Sequence, residues 1–224
     1  MRLAALVSGG KDSLYATYLT KRAGHTIETI IAVQSDNPES YMFHYPNTWI
    51  VEMQAQLMNI PFVQQRTPGE KEVELDDLTT VLQSLKHIDG VVTGAVASTY
   101  QKERVDRICR ALGLESIAPL WSSDPATTVR DMIENSFEII IQAVAAPPLD
   151  EAWLGRRLDT ACLVDLIELN KEHGIHITGE GGEYESLVLD CPLFSKKIIV
   201  TESEKHWDAK TRSGWLEITG IDTK

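Results

Sequence analysis

The chain has 224 residues, a formal net charge of −12 and 43% hydrophobic residues, enough for one large domain or two small ones with a sizeable core. The acid excess opposes general binding to DNA or RNA, and no apolar run approaches the ~20 residues that cross a bilayer. The three cysteines, Cys109, Cys162 and Cys191, are widely spaced and odd in number, which fits buried thiols in a reducing cytoplasm.

Residues 3–7 form an apolar run of buried-strand length. It leads into a loop rather than a cleavage site, so no signal peptide is expected. Ser8-Gly9-Gly10-Lys11-Asp12-Ser13 follows, and then Leu14, Tyr15, Tyr18 and Leu19 recur at helical spacing up to Gly24. The hexapeptide is therefore a strand-to-helix turn. Its adjacent glycines let backbone N–H groups approach a ligand, and the helix aims its free N–H groups and positive dipole end at the same spot. Lys11 adds a charge, and Ser8 and Ser13 add hydroxyls. This set suits a polyphosphate. Asp12 would repel one unless a cation lay between them, which marks it as a Mg²⁺ ligand. The plain alternative is a βα turn capped by Ser and Asp. The G-x-x-x-x-G-K-[ST] loop is absent, because its first glycine would fall on Ala5, and so is G-x-G-x-x-G.

Residues 26–34 read as a second strand, and residues 35–40 as a turn-rich loop continued by His44 to Pro46. Tyr41 to Tyr45 is either a lid over a nucleotide or a docking patch. A helix is expected over 49–58, a strand from 61 ended by Thr67-Pro68-Gly69, a helix over 72–85 and a strand over 90–94. A helix over 100–112 is closed by Gly113, and a fifth strand covers 117–120. Strands that alternate with helices imply an α/β fold, a parallel sheet with helices on both faces. Ligands bind such sheets beyond the carboxyl ends of the strands, at a switch in strand order. That rule places an adenine near Val33, Gln34 and Ser35 and near Gly94 and Ala95, with Ser98 beside the switch. Arg104, one turn into its helix, reaches a phosphate or makes a surface salt bridge.

Trp121-Ser122-Ser123-Asp124-Pro125 reads as a junction, dividing the chain into domains 1–121 and 122–224. Asp124 suits an N-cap and Pro125 a first helical position. The helix runs to about Asn135, a strand covers 137–146, and Pro147-Pro148-Leu149-Asp150 breaks it. A helix over 160–173 has Leu163, Val164, Leu166, Ile167 and Leu169 on its apolar side and Gly174 beyond its end. Strands are expected over 176–179, 185–189, 197–200 and 215–219, which makes this a smaller α+β domain with mixed strands. Within it, Gly179-Glu180-Gly181-Gly182-Glu183-Tyr184-Glu185 crowds three carboxylates among three glycines. A surface hairpin turn is the plain reading. Like charges repel, however, so the cluster makes sense if it receives a cation. The six histidines lack zinc spacing, the cysteines form no C-x-x-C pair, and Trp207 and Trp215 read as core rather than a binding cage.

The hexapeptide resembles the PP-loop, S-G-G-x-D-S, of the N-type ATP pyrophosphatases, which cleave ATP between the α and β phosphates. The Gly-Glu-Gly-Gly-Glu-Tyr-Glu-Ser run at 179–186 is followed by Leu-Asp-Cys-Pro-Leu-Phe at 189–194. With Gly94-Ala95-Val96-x-Ser98-x-Tyr100-Gln101-x-x-Arg104 and Pro119-Leu120-Trp121, it is similar to the signature of the diphthine–ammonia ligases, or diphthamide synthetases. Ser186 stands where many members carry Thr, and keeps the β-hydroxyl. The resemblance implies a five-stranded parallel sheet of HUP type (adenine nucleotide alpha hydrolase-like), ATP and Mg²⁺ as cofactors, and a cytoplasmic enzyme. That enzyme adenylates the diphthine carboxylate of translation elongation factor 2, and ammonia then displaces AMP to leave diphthamide.

On this resemblance Lys11, Asp12 and Glu183 are catalytic, and Ser8, Gly9, Gly10, Lys11, Asp12 and Ser13 hold ATP. Tyr100, Gln101, Arg104, Glu180, Gly181, Gly182, Glu183, Tyr184 and Glu185 meet the acceptor. Diphthine carries a trimethylammonium group, for which the glutamates supply charge and Tyr184 or a nearby Trp a cation–π face. The acidic loop is expected to face the PP-loop. Residue 2 is arginine rather than a cysteine nucleophile, and 224 residues leave no room for a glutaminase, so free ammonia is the expected nitrogen source. Neither nucleic acid nor membrane is expected as a partner, and a homo-oligomer is left open. The competing readings are a tRNA-modifying PP-loop ATP pyrophosphatase and a non-catalytic adenine-nucleotide sensor.

Overall fold

The computed structural model describes residues 1–35, 47–68 and 73–224. The expected loop over 36–46, with its aromatic stretch, and the first residue of the helix expected at 72 lie outside the described residues, as does the side chain of Ser35. The chain forms two compact units, Met1–Trp121 and Ser122–Lys224.

In the first unit β1 (Arg2–Leu6), β2 (Thr26–Ser35), β3 (Phe62–Thr67), β4 (Gly90–Val92) and β5 (Glu115–Ile117) make one parallel sheet in the order β3-β2-β1-β4-β5. They alternate with α1 (Lys11–Arg22), α2 (Ile50–Leu57), α3 (Val73–Ser84) and α4 (Thr99–Leu112). Right-handed crossovers put α1 and α2 on one face, where the chain steps from β1 to β3, and α3 and α4 on the other, where it returns. Ala4, Ile31, Val33 and Val91 of the sheet pack with Leu78, Leu82, Val105 and Ile108 on that second side. The order reverses between β1 and β4, so their carboxyl ends border the crevice that Ser8–Ser13 lines.

The fifth strand lies two to three residues upstream of its expected place. Pro119 has no N–H for a ladder, and Trp121 N donates to Ala118 O instead, making a turn of the stretch read as strand.

The second unit is a four-stranded antiparallel sheet in the order β7-β6-β9-β8, built from β6 (Glu138–Val144), β7 (Tyr184–Asp190), β8 (Ile198–Asp208) and β9 (Ser213–Thr223). Helices α5 (Pro125–Glu134) and α6 (Thr160–His173) complete it. Asp124 accepts from Thr127 N at 2.8 Å, and Asp159 caps α6 by accepting from Cys162 N at 2.9 Å. Val129, Met132, Leu163 and Leu166 of the helices are buried, as are Val144, Tyr184, Leu216 and Ile218 of the strands.

Four expectations are corrected here. The strands are antiparallel throughout rather than mixed. Val164 is 50% exposed and lies off the apolar side of α6. Residues 176–179 are a turn, in which Gly179 N donates to His176 O and Thr178 N to His176 Nδ1. The last two strands are each 11 residues long. Most of the added length in β8 is the polar run Thr201–Lys205, exposed on an outer strand and therefore without the alternation that reveals a strand in sequence.

Past the end of β4, Gly94 lies against the start of α1. A Cβ on Gly94 would stand 2.5 Å from Ser13 N and 2.7 Å from the Asp12 carbonyl carbon. Both are backbone atoms that cannot swing aside. Gly94→Ala is therefore expected to destabilise the first unit by about 1–3 kcal/mol, read as a lower urea midpoint with an unchanged slope.

Candidate functional site

Ser8–Ser13 turns out of β1 into α1, with Gly9 at φ +86°. The N-cap of α1 is Gly10, which brings no side-chain cap of its own, and the N–H groups at a helix start favour an anion. Lys11 is 2% exposed and its Nζ donates to Asp12 Oδ2 at 2.8 Å. Ser8 N donates to Ser13 Oγ at 3.2 Å, and Ser13 Oγ donates to Gly10 O at 3.1 Å, so Ser13 braces the turn from within. Gln54 of α2, fully buried, donates from Nε2 to Gly9 O at 3.1 Å. Sequence reasoning missed Gln54, since a glutamine inside an apolar helix carries no motif. A buried ammonium at a glycine N-cap matches a polyphosphate, and the adjoining carboxylate suits a hard divalent cation.

Around the switch point, Val33 has its side chain in the core and Ala95 is buried. Gln34 Oε1 accepts from Gln64 Nε2 at 2.6 Å. Thr93, next to Gly94, is buried, and its Oγ1 makes no hydrogen bond among the described residues. It is a second polar group that the sequence did not signal. Ser98 caps α4, accepting from Gln101 N at 3.3 Å. The Arg104 guanidinium lies 3.5 Å from the Tyr100 ring centroid, which couples two of the expected acceptor residues by stacking.

In the second unit the acidic loop is ordered by its own bonds. Glu183 Oε1 accepts from His176 N at 2.7 Å, and Glu183 O from Ala145 N at 2.9 Å. A Cβ on Gly181 would lie 2.6 Å from Glu183 Oε1, so a side chain there would push that carboxylate from its place over the loop. Glu180 and Gly182 belong to the same turn, where Gly182 N donates to Gly179 O. Tyr184 is 3% exposed and its hydroxyl donates to Ile177 O at 2.7 Å. Tyr184 is thus a strut of the loop and offers no cation–π face. The Oε2 atoms of Glu183 and Glu185 are both sealed from solvent, with no hydrogen bond among the described residues. Desolvation pushes the Glu185 carboxyl from 4.5 up to about 8. It is therefore mostly protonated at neutral pH, and the loop carries less charge than its three glutamates suggest.

The Trp215 expectation also changes. Its side chain is 47% exposed and stacks on His206, with centroids 4.7 Å apart and planes 18° from parallel. All three cysteines are buried. Desolvation pushes Cys109 up to about 11 and Cys162 and Cys191 up to about 12, which suits packing and not nucleophilic chemistry. No helix among the described residues is long and apolar enough to cross a membrane.

Comparison with known proteins bears on both units. A family model described as the diphthamide synthase N-terminal domain matches residues 1–116, and one described as the diphthamide synthase C-terminal domain matches residues 124–221. The chain is similar to the diphthine–ammonia ligase of Rattus norvegicus, at 36% identity over 99% of this chain and 92% of the relative. The Danio rerio ligase is 37% identical over 100% of this chain and 97% of its own. A Saccharomyces cerevisiae ligase is 30% identical over 87% of this chain, a match that spans 33% of that longer relative.

The raised Glu185 carboxyl links stability to pH. The folded state holds a proton that the unfolded chain releases at its ordinary value. The contribution is therefore complete below about pH 4.5 and is lost as pH rises through about 8. Glu185→Gln removes that loss. The variant is expected to melt with the wild type near pH 4 and several degrees above it near pH 8.5, by calorimetry across that range. Parallel pH profiles would contradict the assignment.

Proposed function

The chain belongs to the diphthamide synthase family, and we propose that it acts as an ATP-dependent diphthine–ammonia ligase on translation elongation factor 2. The observation that carries this reading is the constellation on Ser8–Ser13: a buried Lys11 beside Asp12 at the glycine-capped start of α1.

The reaction has two balanced steps. A carboxylate oxygen of diphthine attacks the α-phosphorus of ATP, and pyrophosphate leaves with the electrons of the α–β bridge. Ammonia then attacks the acyl carbon, AMP leaves, and one proton is lost as the amide forms. The first step moves negative charge onto pyrophosphate, and fixed donors stabilise that charge best because they need no reorganisation. The amides of Gly9 and Gly10, with Lys11 Nζ, take this role, and Ser8 and Ser13 hold the turn that aims them. Asp12 would hold Mg²⁺, which supplies charge neutralisation for the phosphates. The adenine rests at the strand ends, on the backbone of Val33, Gln34 and Ser35 and of Gly94 and Ala95, with Ser98 at the head of α4. Tyr100, Gln101 and Arg104 contact the acceptor, and Glu180, Glu183 and Glu185 on their glycine-rich loop recognise its cationic group.

A tRNA-thiolating relative would need a reactive cysteine, and the three buried thiols do not provide one. A nucleotide sensor would have no use for the unsatisfied carboxylate oxygens of Glu183 and Glu185.

The test is turnover with diphthine-bearing elongation factor 2, ATP and an ammonium salt. Equal amounts of AMP, pyrophosphate and amide are expected, with no need for glutamine. Asp12→Asn, whose amide oxygen can still accept from Lys11 Nζ, should lower pyrophosphate release at least about a hundredfold while the variant still melts cooperatively. Glu183→Gln should keep ATP affinity and raise KM for the protein acceptor. Pyrophosphate without amide, or activity that requires glutamine, would overturn the reading.

A further inference from the structure

The register of the second sheet brings together residues far apart in sequence. Ala143 of β6 pairs with Glu185 of β7 on one side and with Trp215 of β9 on the other, and Trp215 pairs in turn with His206 of β8. Directly opposed residues of antiparallel strands share a face, so Glu185, Ala143, Trp215 and His206 form one row across the sheet. The adjacent row, with Tyr184, Val144 and Gly214 all buried, faces the core. The row with Trp215 is on the opposite face, which is exposed at Trp215 and half-buried at Ala143 and Glu185.

We propose that this row, from Glu185 across Ala143 to Trp215, is a binding site for an alkylated ammonium group. One face of the Trp215 indole is covered by His206, which is itself held by Glu217 Oε2 at 2.7 Å from Nε2. The other face therefore turns away from β8, toward β6 and β7. There the next side chain is only a methyl group, so a trough about 10 Å wide between strand backbones separates the indole from Glu185. A carboxylate on one wall, an aromatic face on the other and an apolar floor fit a cation with methyl groups and a diffuse charge. Free ammonium is a poor fit, because it would need several hydrogen-bond acceptors to replace its water. Glu217, two residues along from Trp215 on β9, adds charge of the right sign. A bound cation would also supply the counter-charge that the sealed Glu185 Oε2 lacks among the described residues. The identification of this cation with the acceptor's trimethylammonium group rests on the ligase reading; the site itself does not.

The experiment titrates tetramethylammonium chloride into the full chain at constant ionic strength near pH 8.5, where Glu185 is largely ionised. Neopentanol serves as a neutral probe of similar shape. Saturable binding of the cation alone is expected. It should weaken about three- to thirtyfold in Trp215→Ala and much less in Trp215→Phe, which keeps an aromatic face. Ala143→Leu, a change on the same face that fills the trough, is the second variant should Trp215→Ala fold poorly, and it should also weaken binding. Equal binding of neopentanol, displacement by an equal concentration of ammonium, or unchanged affinity in Ala143→Leu or a folded Trp215→Ala would overturn the proposal. In turnover, Trp215→Ala should raise KM for the diphthine-bearing protein with kcat near that of the wild type. Should the wild type make no amide at all, the ligase reading falls, while the titration still judges this site.

Discussion

The first unit depends on a contact between two pieces of backbone. Gly94, just past β4, touches the peptide of Asp12–Ser13 so closely that no side chain fits between them. The contact ties the carboxyl ends of the two strands on either side of the switch point to the start of α1. The amides at the start of α1 and the buried Lys11 therefore have a fixed direction. Gln54 reaches Gly9 from α2, so the turn is held by both the sheet and a neighbouring helix. A loop held this way needs little rearrangement when a charged ligand arrives, which is the condition under which fixed dipoles stabilise charge well.

The second unit solves a different problem. Its acidic loop would be repelled by itself if it were merely a turn. The structure limits that repulsion by folding Glu183 over Gly181 onto the His176 amide and by desolvating Glu185 until it keeps its proton. Two carboxylate oxygens are left sealed and unsatisfied among the described residues. Such groups cost stability, and a fold retains them where a bound partner recovers the loss.

Much of this was legible in the sequence. Ser8–Ser13 announced itself because a strand-length apolar run, two glycines and a helical period meet there. The bounds of α6 were readable from its period and from Gly174. The five-stranded sheet followed from alternation, and the family from motifs spread along both halves. The remainder was hidden for physical reasons. Gln54 and Thr93 act through single hydrogen-bonding groups in apolar surroundings, which leave no pattern. Residues 176–179 look strand-like, yet the His176 imidazole and carbonyl accept the backbone donors that a ladder would need. Tyr184 is buried and Trp215 exposed, the reverse of what was expected of them, because burial of an aromatic ring is decided by which face of the sheet it occupies. A one-residue register change would have reversed them.

The outermost strand, β8, has a consequence for how the molecule behaves in concentrated solution. Its outer edge, which no strand pairs among the described residues, is a row of backbone donors and acceptors to which another chain's strand could be added. Pairing with β9 slips on both sides of Glu202, and Glu202, Glu204 and Lys205 stand exposed along the same stretch. The kink spoils the flat template, and the charges must be desolvated by any strand that lies down on it. The polarity that concealed β8 in the sequence is thus what keeps an eleven-residue edge from seeding aggregation.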